Sequence, residues 1–522
     1  IWSNEAQERY VMAIQAKSLA RFKAICDRER CPFAVVGVTT EALQVRLEDT
    51  LFKNFAVDMD LSVLLGKPPK MVRHVQRLDV SLPRFDSESV NLREAIYRVL
   101  QMPCVADKSF LINIGDRSVG GLTARDQMVG PWQVPVADVA VTAMGFKTFR
   151  GEAFAMGERT PLALINPAAS GRMAVGEAIT NLLAAPVGQM GDIKLSANWM
   201  AAAGHPGEEA ALFDTVKAVA MDLCPKLGIS IPVGKDSLSM KTAWQESSQL
   251  KQVTSPLSLV VSAFAPVSDV RHTLTPQLRL DCGETDLIVI DSGSARMGGS
   301  TLAQVYAQLG DEAPDLDHPE WLIALSKVLK SLNEEQKILA YHDRSDGGLL
   351  ACLCEMMFAG HCGVMFDVTA LSRKGVNASL FNEELGVVLQ VRRMDTPCVM
   401  RHLSAAGLGS QYSHVVGEVN AGDLFIISAN GSEVFRDSRI NLHRAWSSTS
   451  FHMQQLRDNP HCAREAYDAL LSVNDPGLNV KLSFEWNGVK SGVSIQTAVR
   501  PRIAILREQG VNGQIEMAAA FD

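Results

Sequence analysis

Tyr341-His-Asp-Arg-Ser-Asp-Gly-Gly-Leu349 joins the end of a predicted strand, at Ala340 to His342, to a predicted helix over 347–359. A strand that passes through a short polar turn into a helix is an α/β pattern. The Gly347-Gly348 pair ahead of the helix lets backbone N–H groups approach a phosphate. The plainer alternative is a tight turn with Ser or Asp as N-cap. Asp116-Arg-Ser-Val-Gly-Gly-Leu122 is nearly the same heptapeptide as Asp343 to Leu349, and two copies argue against chance.

Two further stretches set acids among apolar residues: Val134-Pro-Val-Ala-Asp-Val-Ala-Val141 and Gly171-Arg-Met-Ala-Val-Gly-Glu-Ala-Ile-Thr-Asn181. A buried carboxylate is costly unless a cation or several donors meet it. Asp138, Glu177 and Asp343 therefore point to one gathered site. Glu177 and Asn181 are four apart on a predicted helix and share a face. Carboxylate and amide oxygens suit Mg²⁺, with phosphate oxygens completing its octahedron. Alone, Glu177 reads as a solvated or capping acid near a helix start; Asp138, among the apolar Val136, Val139 and Val141, reads equally as a site acid or a salt-bridged strand acid.

Two look-alikes fail on spacing. Gly234-Lys-Asp-Ser237 resembles the end of a P-loop, but the preceding glycine is Gly228 and Asp236 follows Lys235. The glycines of Gly293 to Ser300 do not fall as GxGxxG, although the start of the next helix, at Thr301, is a place for an anion. No GxSxG or GxCxG nucleophile elbow is present, which weakens a hydrolase reading.

The 522 residues exceed one core, so three or so domains are expected. Hydrophobic residues at 47% and charged residues at 21% are ordinary for a soluble globular chain. A net charge of −8 argues against non-specific nucleic-acid or anionic-membrane binding, and no apolar run is long enough to span a membrane. The ten scattered cysteines include no CxxC pair, so reduced thiols in the cytoplasm are expected rather than a zinc or disulfide framework.

In chain order, strands are expected at 9–14 and 32–37 around a helix over 17–28. Helices are expected over 92–100, 171–185 (stopped by Pro186), 207–223, 301–309 and 320–332. Strands are expected at 110–114, 134–141, 161–165, 257–265 and 286–290. Asn4 to Gly37 and Asn382 to Gly417 both read as strand–helix–strand, ending in Val-Val-Gly. A repeat at that distance suggests a duplicated domain pair rather than a solenoid. The chain opens at Ile1 and closes on a strand at 501–507 with one helix, which cannot bury its own faces. Both ends therefore read as cut.

Asp116 to Pro131, Gly171 to Asn181, Pro232-Val-Gly-Lys-Asp-Ser-Leu-Ser-Met240 and His342 to Leu349 resemble the large form of phosphoribosylformylglycinamidine synthase along essentially the whole chain. That resemblance implies a mixed α/β fold of duplicated A–B domain pairs like aminoimidazole ribonucleotide synthetase. Residues 1–77 would end the first B domain, 78–270 form the second A domain, 283–425 the second B domain and 426–500 a linking region. Residues 501–522 would open a class I glutaminase domain. The reaction implied joins formylglycinamide ribonucleotide to ammonia drawn from glutamine, with ATP, in cytoplasmic purine biosynthesis. ATP is expected to phosphorylate the substrate amide oxygen, and ammonia to displace the phosphate. Asp138, Glu177, Asn181 and Asp343 are implied as Mg²⁺ ligands, with Ala137 and Ser345 touching ATP or ADP, in an auxiliary structural site. No catalytic residue is expected within this segment; the first A domain and the glutaminase would supply them. The alternative is a non-catalytic scaffold or interaction module.

Overall fold

The computed structural model describes residues 9–67, 69–70, 72–78, 80–117, 120–372, 374–485, 502–508 and 510–521. The chain divides into two units, Ile1–His74 with Val499–Asp522, and Val75–Ala498.

In the first unit, helix α1 (Leu19–Arg28) forms where expected, and its buried side chain is Cys26. A hairpin of β1 (Gln44–Asp49) and β2 (Asn54–Asp60) follows, then α2 (Leu61–Leu65). The flanking strands expected over 9–14 and 32–37 are irregular, with Tyr10, Val11, Val35 and Val36 exposed. An extended run needs a neighbouring strand for its N–H and C=O groups, and among the described residues neither run has one. The strand expected at 501–507 is likewise irregular from residue 502, and Pro501 lies outside the described residues. The helix expected after it forms at Gln514–Phe521.

The second unit begins with α3 (Leu92–Gln101), capped by Asn91, whose side-chain oxygen accepts from the Glu94 N–H at 3.1 Å. The strand expected over 110–114 is instead a helical turn, α4 (Ser109–Ile112). Asp107 accepts from the Ser109 N–H (2.7 Å) and hydroxyl (2.9 Å), and Ser450 Oγ accepts from the Phe110 N–H (2.8 Å). These local bonds outweigh the β-propensity of Phe110-Leu-Ile.

The first sheet and its covering helices run β3 (Thr123–Arg125), β4 (Ala140–Ala143), β5 (Gly151–Glu158), α5 (Pro167–Leu182), β6 (Lys194–Met200), α6 (Glu208–Val216), α7 (Cys224–Leu227) and β7 (Ser230–Ser237). A hairpin of β8 (Lys241–Glu246) and β9 (Gln249–Thr254) precedes β10 (Ser258–Val267). Strand order is β3-β4-β5-β10-β6-β7, antiparallel except for the parallel β6–β7 pair. Gly234 and Lys235 lie within β7, in an extended strand rather than a loop. The strand expected over 134–141 starts only at Ala140. The stretch expected as a strand at 161–165 is a 3-10 turn, because Glu158 accepts from the Thr160 N–H (3.0 Å) and hydroxyl (2.7 Å). Glycine on β5 brings α5 very close: a Cβ at Gly157 would lie 2.2 Å from Ala174 O and 2.4 Å from Ala178 N. Most of α5 is buried, as a helix packed on more than one side must be.

The second sheet has order β12-β14-β11-β15-β13-β16-β17. In chain order its elements are β11 (Thr285–Asp291), α8 (Thr301–Val305), α9 (Pro319–Glu334), β12 (Ile338–Asp343), α10 (Gly348–Gly360), β13 (Gly363–Asp367) and α11 (Val376–Phe381). These are followed by β14 (Gly386–Arg392), α12 (Thr396–Ala405), β15 (Ser413–Asn420), β16 (Leu424–Ala429), β17 (Ser432–Ser438), α13 (Arg439–Arg457) and α14 (Pro460–Ala469). The second copy of the strand–helix–strand repeat thus forms as β14–α12–β15. Helix α8 stops short of the expected 309, where the backbone turns left-handed at Ala307 (φ 54°).

Both faces of this sheet are covered, and period-2 alternation divides its residues between two cores. Ile288, Ile290, Val387 and Leu389 join α5, α9 and α12, whereas Leu287, Val289 and Val388 join α3, α10 and α13. The expected boundary at residue 425 falls inside β16, and the sheet continues to Ser438. Helix α13 then returns to α3, where Trp446 Nε1 donates to Val105 O at 2.7 Å. Among the described residues, no helix is long and apolar enough to cross a membrane.

Candidate functional site

The C-terminal end of β12 delivers His342 and Asp343 against Asp138, which sits just ahead of β4. His342 Nδ1 lies 2.7 Å from Asp138 Oδ1, and the same oxygen accepts from the Asp343 N–H at 3.0 Å. His342 Nε2 lies 2.8 Å from Glu355 Oε2 on α10, so both ring nitrogens are engaged by acids. Burial alone would lower the imidazole's pKa; the Asp138 and Glu355 carboxylates outweigh it and raise it well above the ordinary value. Burial, with the Asp138 charge beside it, raises Asp343 well above the usual carboxylate range. The side chains of Asp138 and Asp343 are essentially shut off from solvent, yet Oδ2 of each has no hydrogen-bond partner.

Helix α5 carries Glu177 and Asn181 one turn apart, both bonded to the backbone of β5. Glu177 Oε2 accepts from the Glu158 N–H (2.8 Å), and Asn181 Nδ2 donates to Met156 O (3.1 Å), which leaves the Asn181 amide oxygen as the atom available to a cation. Burial pushes Glu177 well above the carboxylate range; the Arg159 charge opposes this, while Asp346 and Asp343 add to it. Tyr341 Oη donates to Thr180 O at 2.6 Å and pins β12 to the last turn of α5. Of the four residues expected to bind metal, Asp138 and Asp343 meet directly, Glu177 lies within electrostatic reach of Asp343, and Asn181 follows one turn further along α5.

The donors are oxygens, two of them buried and unpartnered, and His342 is occupied by its two acids. That chemistry fits a hard cation such as Mg²⁺. The ligand atoms of Asp138, His342 and Asp343 lie within 4.8 Å of one another. Ser345 and Ala137, expected at the nucleotide, flank this cluster and are partly exposed. The Ala137 N–H donates to Gln127 O (3.2 Å), beside a cavity of about 420 Å³ lined by Asp116, Arg117, Thr123, Arg125 and Asp126. Ser118 and Val119 of that first heptapeptide lie outside the described residues.

The phosphate expected at the second heptapeptide meets a different fact. Glu383 Oε1 accepts from Gly347 N–H and Thr301 N–H, each at 2.8 Å. The chain's own carboxylate thus fills both the Gly-Gly turn and the α8 start. Glu383 Oε2 meets Arg159 Nη2 at 2.5 Å, and Arg159 Nη1 meets Asp346 at 2.9 Å. Partial burial, against the pull of Arg159, lifts Asp346 to about 6. Next to Glu383, Glu384 accepts from Ser294 N–H (3.1 Å), Arg296 N–H (3.1 Å) and Arg296 Nε (2.8 Å), and so closes the Gly293 loop. Sequence reasoning missed Arg159, Glu355, Glu383 and Glu384 as parts of this network. The adjacent acids Glu383-Glu384 before an apolar strand were the signal available.

A mixed-sheet domain and a second sheet sharing a core across α5 form the AIR synthase-like two-domain architecture. The matches to known families specify it. Residues 107–266 match the FGAR-AT PurM_N-like domain, and residues 285–429 match the AIR synthase related protein C-terminal domain. Thermotoga maritima PurL complexed with ADP is similar over 67% of this chain and 51% of its own length, at 12% identity and a TM-score of 0.50. PurLQS from Thermotoga maritima matches 74% of this chain and 54% of its own, at 14% identity and a TM-score of 0.49. E. coli HypE, a hydrogenase maturation protein, matches 56% of this chain and 86% of its own, at 18% identity and a TM-score of 0.39. The chain spans about half the length of the PurL structures it matches.

Proposed function

We propose that this chain holds a Mg²⁺–nucleotide complex and forms part of an ATP-dependent carbon–nitrogen ligase, phosphoribosylformylglycinamidine synthase. Asp138, Glu177, Asn181 and Asp343 would hold the cation, with Ala137 and Ser345 against the nucleotide. The observation that carries this reading is the pair of buried, unpartnered Oδ2 atoms on Asp138 and Asp343, brought together from different elements. Two such oxygens are costly until a cation meets them. Bound Mg²⁺ supplies charge neutralisation to phosphate oxygens. The chain's own residues do the rest: His342 fixes Asp138, the Glu158 N–H fixes Glu177, and Tyr341 holds α5 on β12.

Within the whole enzyme, formylglycinamide ribonucleotide, glutamine-derived ammonia and ATP are the proposed substrates. The nucleotide held here is the auxiliary, structural ADP. Residues 78–270 and 283–425 would be the second A and B domains, 1–77 the end of the first B domain, 426–500 the link and 501–522 the glutaminase opening. The Glu383 carboxylate in the Gly347 turn supports a structural rather than a turnover role, because that turn is already closed by protein.

The test is thermal unfolding with and without Mg²⁺ and ADP. A ligand at about 100 times its dissociation constant stabilises the native state by about 2.7 kcal/mol. Stabilisation that requires both Mg²⁺ and ADP, and is lost in Glu177→Ala, is expected. Equal stabilisation of the variant, or none in the wild type, overturns the site.

A further inference from the structure

Glu335, at the end of α9, faces Cys398 and His402 on α12, and one ligand atom from each lies within 4.8 Å of the other two. We propose that these three side chains form a transition-metal site of the Zn²⁺ class that clamps α9 to α12. It goes beyond the Mg²⁺–nucleotide reading and shares no residue with it.

Three observations carry it. First, Cys398 and His402 are four apart on one helix, the spacing that sets two ligands on one face. Second, His402 Nδ1 is 3.7 Å from Glu335 Oε1. Ligand atoms about 2.0–2.3 Å from a tetrahedral zinc lie roughly 3.3–3.8 Å apart; the Glu335–His402 pair already has that spacing, and the Cys398 sulfur lies within 4.8 Å of both. Third, the backbones behind the ligands are fixed: Leu332 of α9 and Val399 and Leu403 of α12 are buried in the same core. Ser331 Oγ donates to Glu335 Oε1 at 3.1 Å and orients that carboxylate, as outer partners of metal ligands do.

The donor set chooses the ion. A thiolate, an imidazole and a carboxylate favour Zn²⁺ or Co²⁺ over Mg²⁺, which prefers oxygen alone. Glu335 is exposed, while Cys398 and His402 are partly so, which gives an ion access and leaves a fourth position to water. On binding, the Cys398 thiol gives its proton to solvent as the sulfur–metal bond forms, so binding releases a proton.

The experiment is a Co²⁺ titration of the whole 522-residue chain, without nucleotide, followed by displacement with Zn²⁺. A near-ultraviolet thiolate-to-cobalt band and the visible bands of a four-coordinate ion are expected, together with thermal stabilisation by Zn²⁺. Cys398→Ser should abolish the band, and His402→Gln should weaken Co²⁺ binding by at least about tenfold. Both variants should keep wild-type circular dichroism and the Mg²⁺–ADP stabilisation, which separates this site from the nucleotide site. Absence of the band in the wild type overturns the proposal. So does a band that persists in Cys398→Ser, since the thiolate would then come from another cysteine. If Cys398→Ser does not fold, His402→Gln alone decides: unchanged Co²⁺ affinity refutes the site.

Discussion

Replacing Arg159 should expose how much of this domain pair rests on one guanidinium. Arg159 leaves the end of β5 and reaches Glu383, ahead of β14, and Asp346, ahead of α10. The Arg159 and Glu383 side chains are 4% and 1% exposed, so their ion pair is dry. Removing one partner of a buried pair leaves an uncompensated charge, at about 3–5 kcal/mol. The Asp346 contact is 33% exposed on the acid side, so screening limits it to under about 1 kcal/mol. Arg159→Met keeps a long unbranched side chain and deletes the charge, so its expected cost is about 4 kcal/mol. Urea unfolding of the wild type and the variant measures this. The double variant Arg159→Met with Glu383→Gln separates orphaned charge from lost packing. Glutamine keeps an acceptor for the Thr301 and Gly347 N–H groups but carries no charge, so the double variant should recover about half of the loss or more. A single-variant loss under about 1 kcal/mol, or a double variant no more stable than Arg159→Met, would refute the argument.

His443 on α13 is buried with Nδ1 unpartnered and its ring stacked on Phe358 at 4.4 Å. Burial, then the Arg439 and His361 charges, lower its pKa from 6.5 to about 3. Its contribution to stability is complete above the unfolded pKa of 6.5 and is lost as pH falls toward 3, at about 1.4 kcal/mol per pH unit. Urea midpoints at neutral and mildly acidic pH should therefore converge in His443→Phe, and an unchanged pH slope in that variant would sink the claim. Gly157→Ala places a Cβ 2.2 Å from Ala174 O, which pushes α5 off β5 at about 1–3 kcal/mol and moves Glu177 from the Glu158 N–H. Urea unfolding and Mg²⁺–ADP affinity should both fall; a variant as stable and as tight-binding as the wild type contradicts the close packing.

Much of the fold was legible because local signals agreed with packing. The apolar run of Asp286 to Ile290, the 3.6-residue period of 320–332 and the glycine pair before 349 each became the expected strand, helix and turn. The failures share a cause. Phe110 to Ile114 and Pro161 to Ile165 have strand composition, but Asp107, Ser450 and Glu158 bend them into turns through bonds that composition does not reveal. Strand β5 went unread because Gly151 to Glu158 buries glycine and alanine rather than large apolar residues. Those small residues exist for the close approach of α5, which only the packed structure makes visible.

By itself the sequence determined which groups are available: three acids in apolar settings, an amide one helical turn from Glu177, and two Gly-Gly turns. Periodicity and burial cost act over neighbouring residues, so they can be read from the chain. Which groups meet depends on contacts between residues hundreds of positions apart, and only the tertiary structure decided those. It set His342 between Asp138 and Glu355 and left two buried carboxylate oxygens unpartnered. It also filled the expected phosphate turn with Glu383, because a carboxylate held by two backbone N–H groups and a buried arginine satisfies that turn from within the chain.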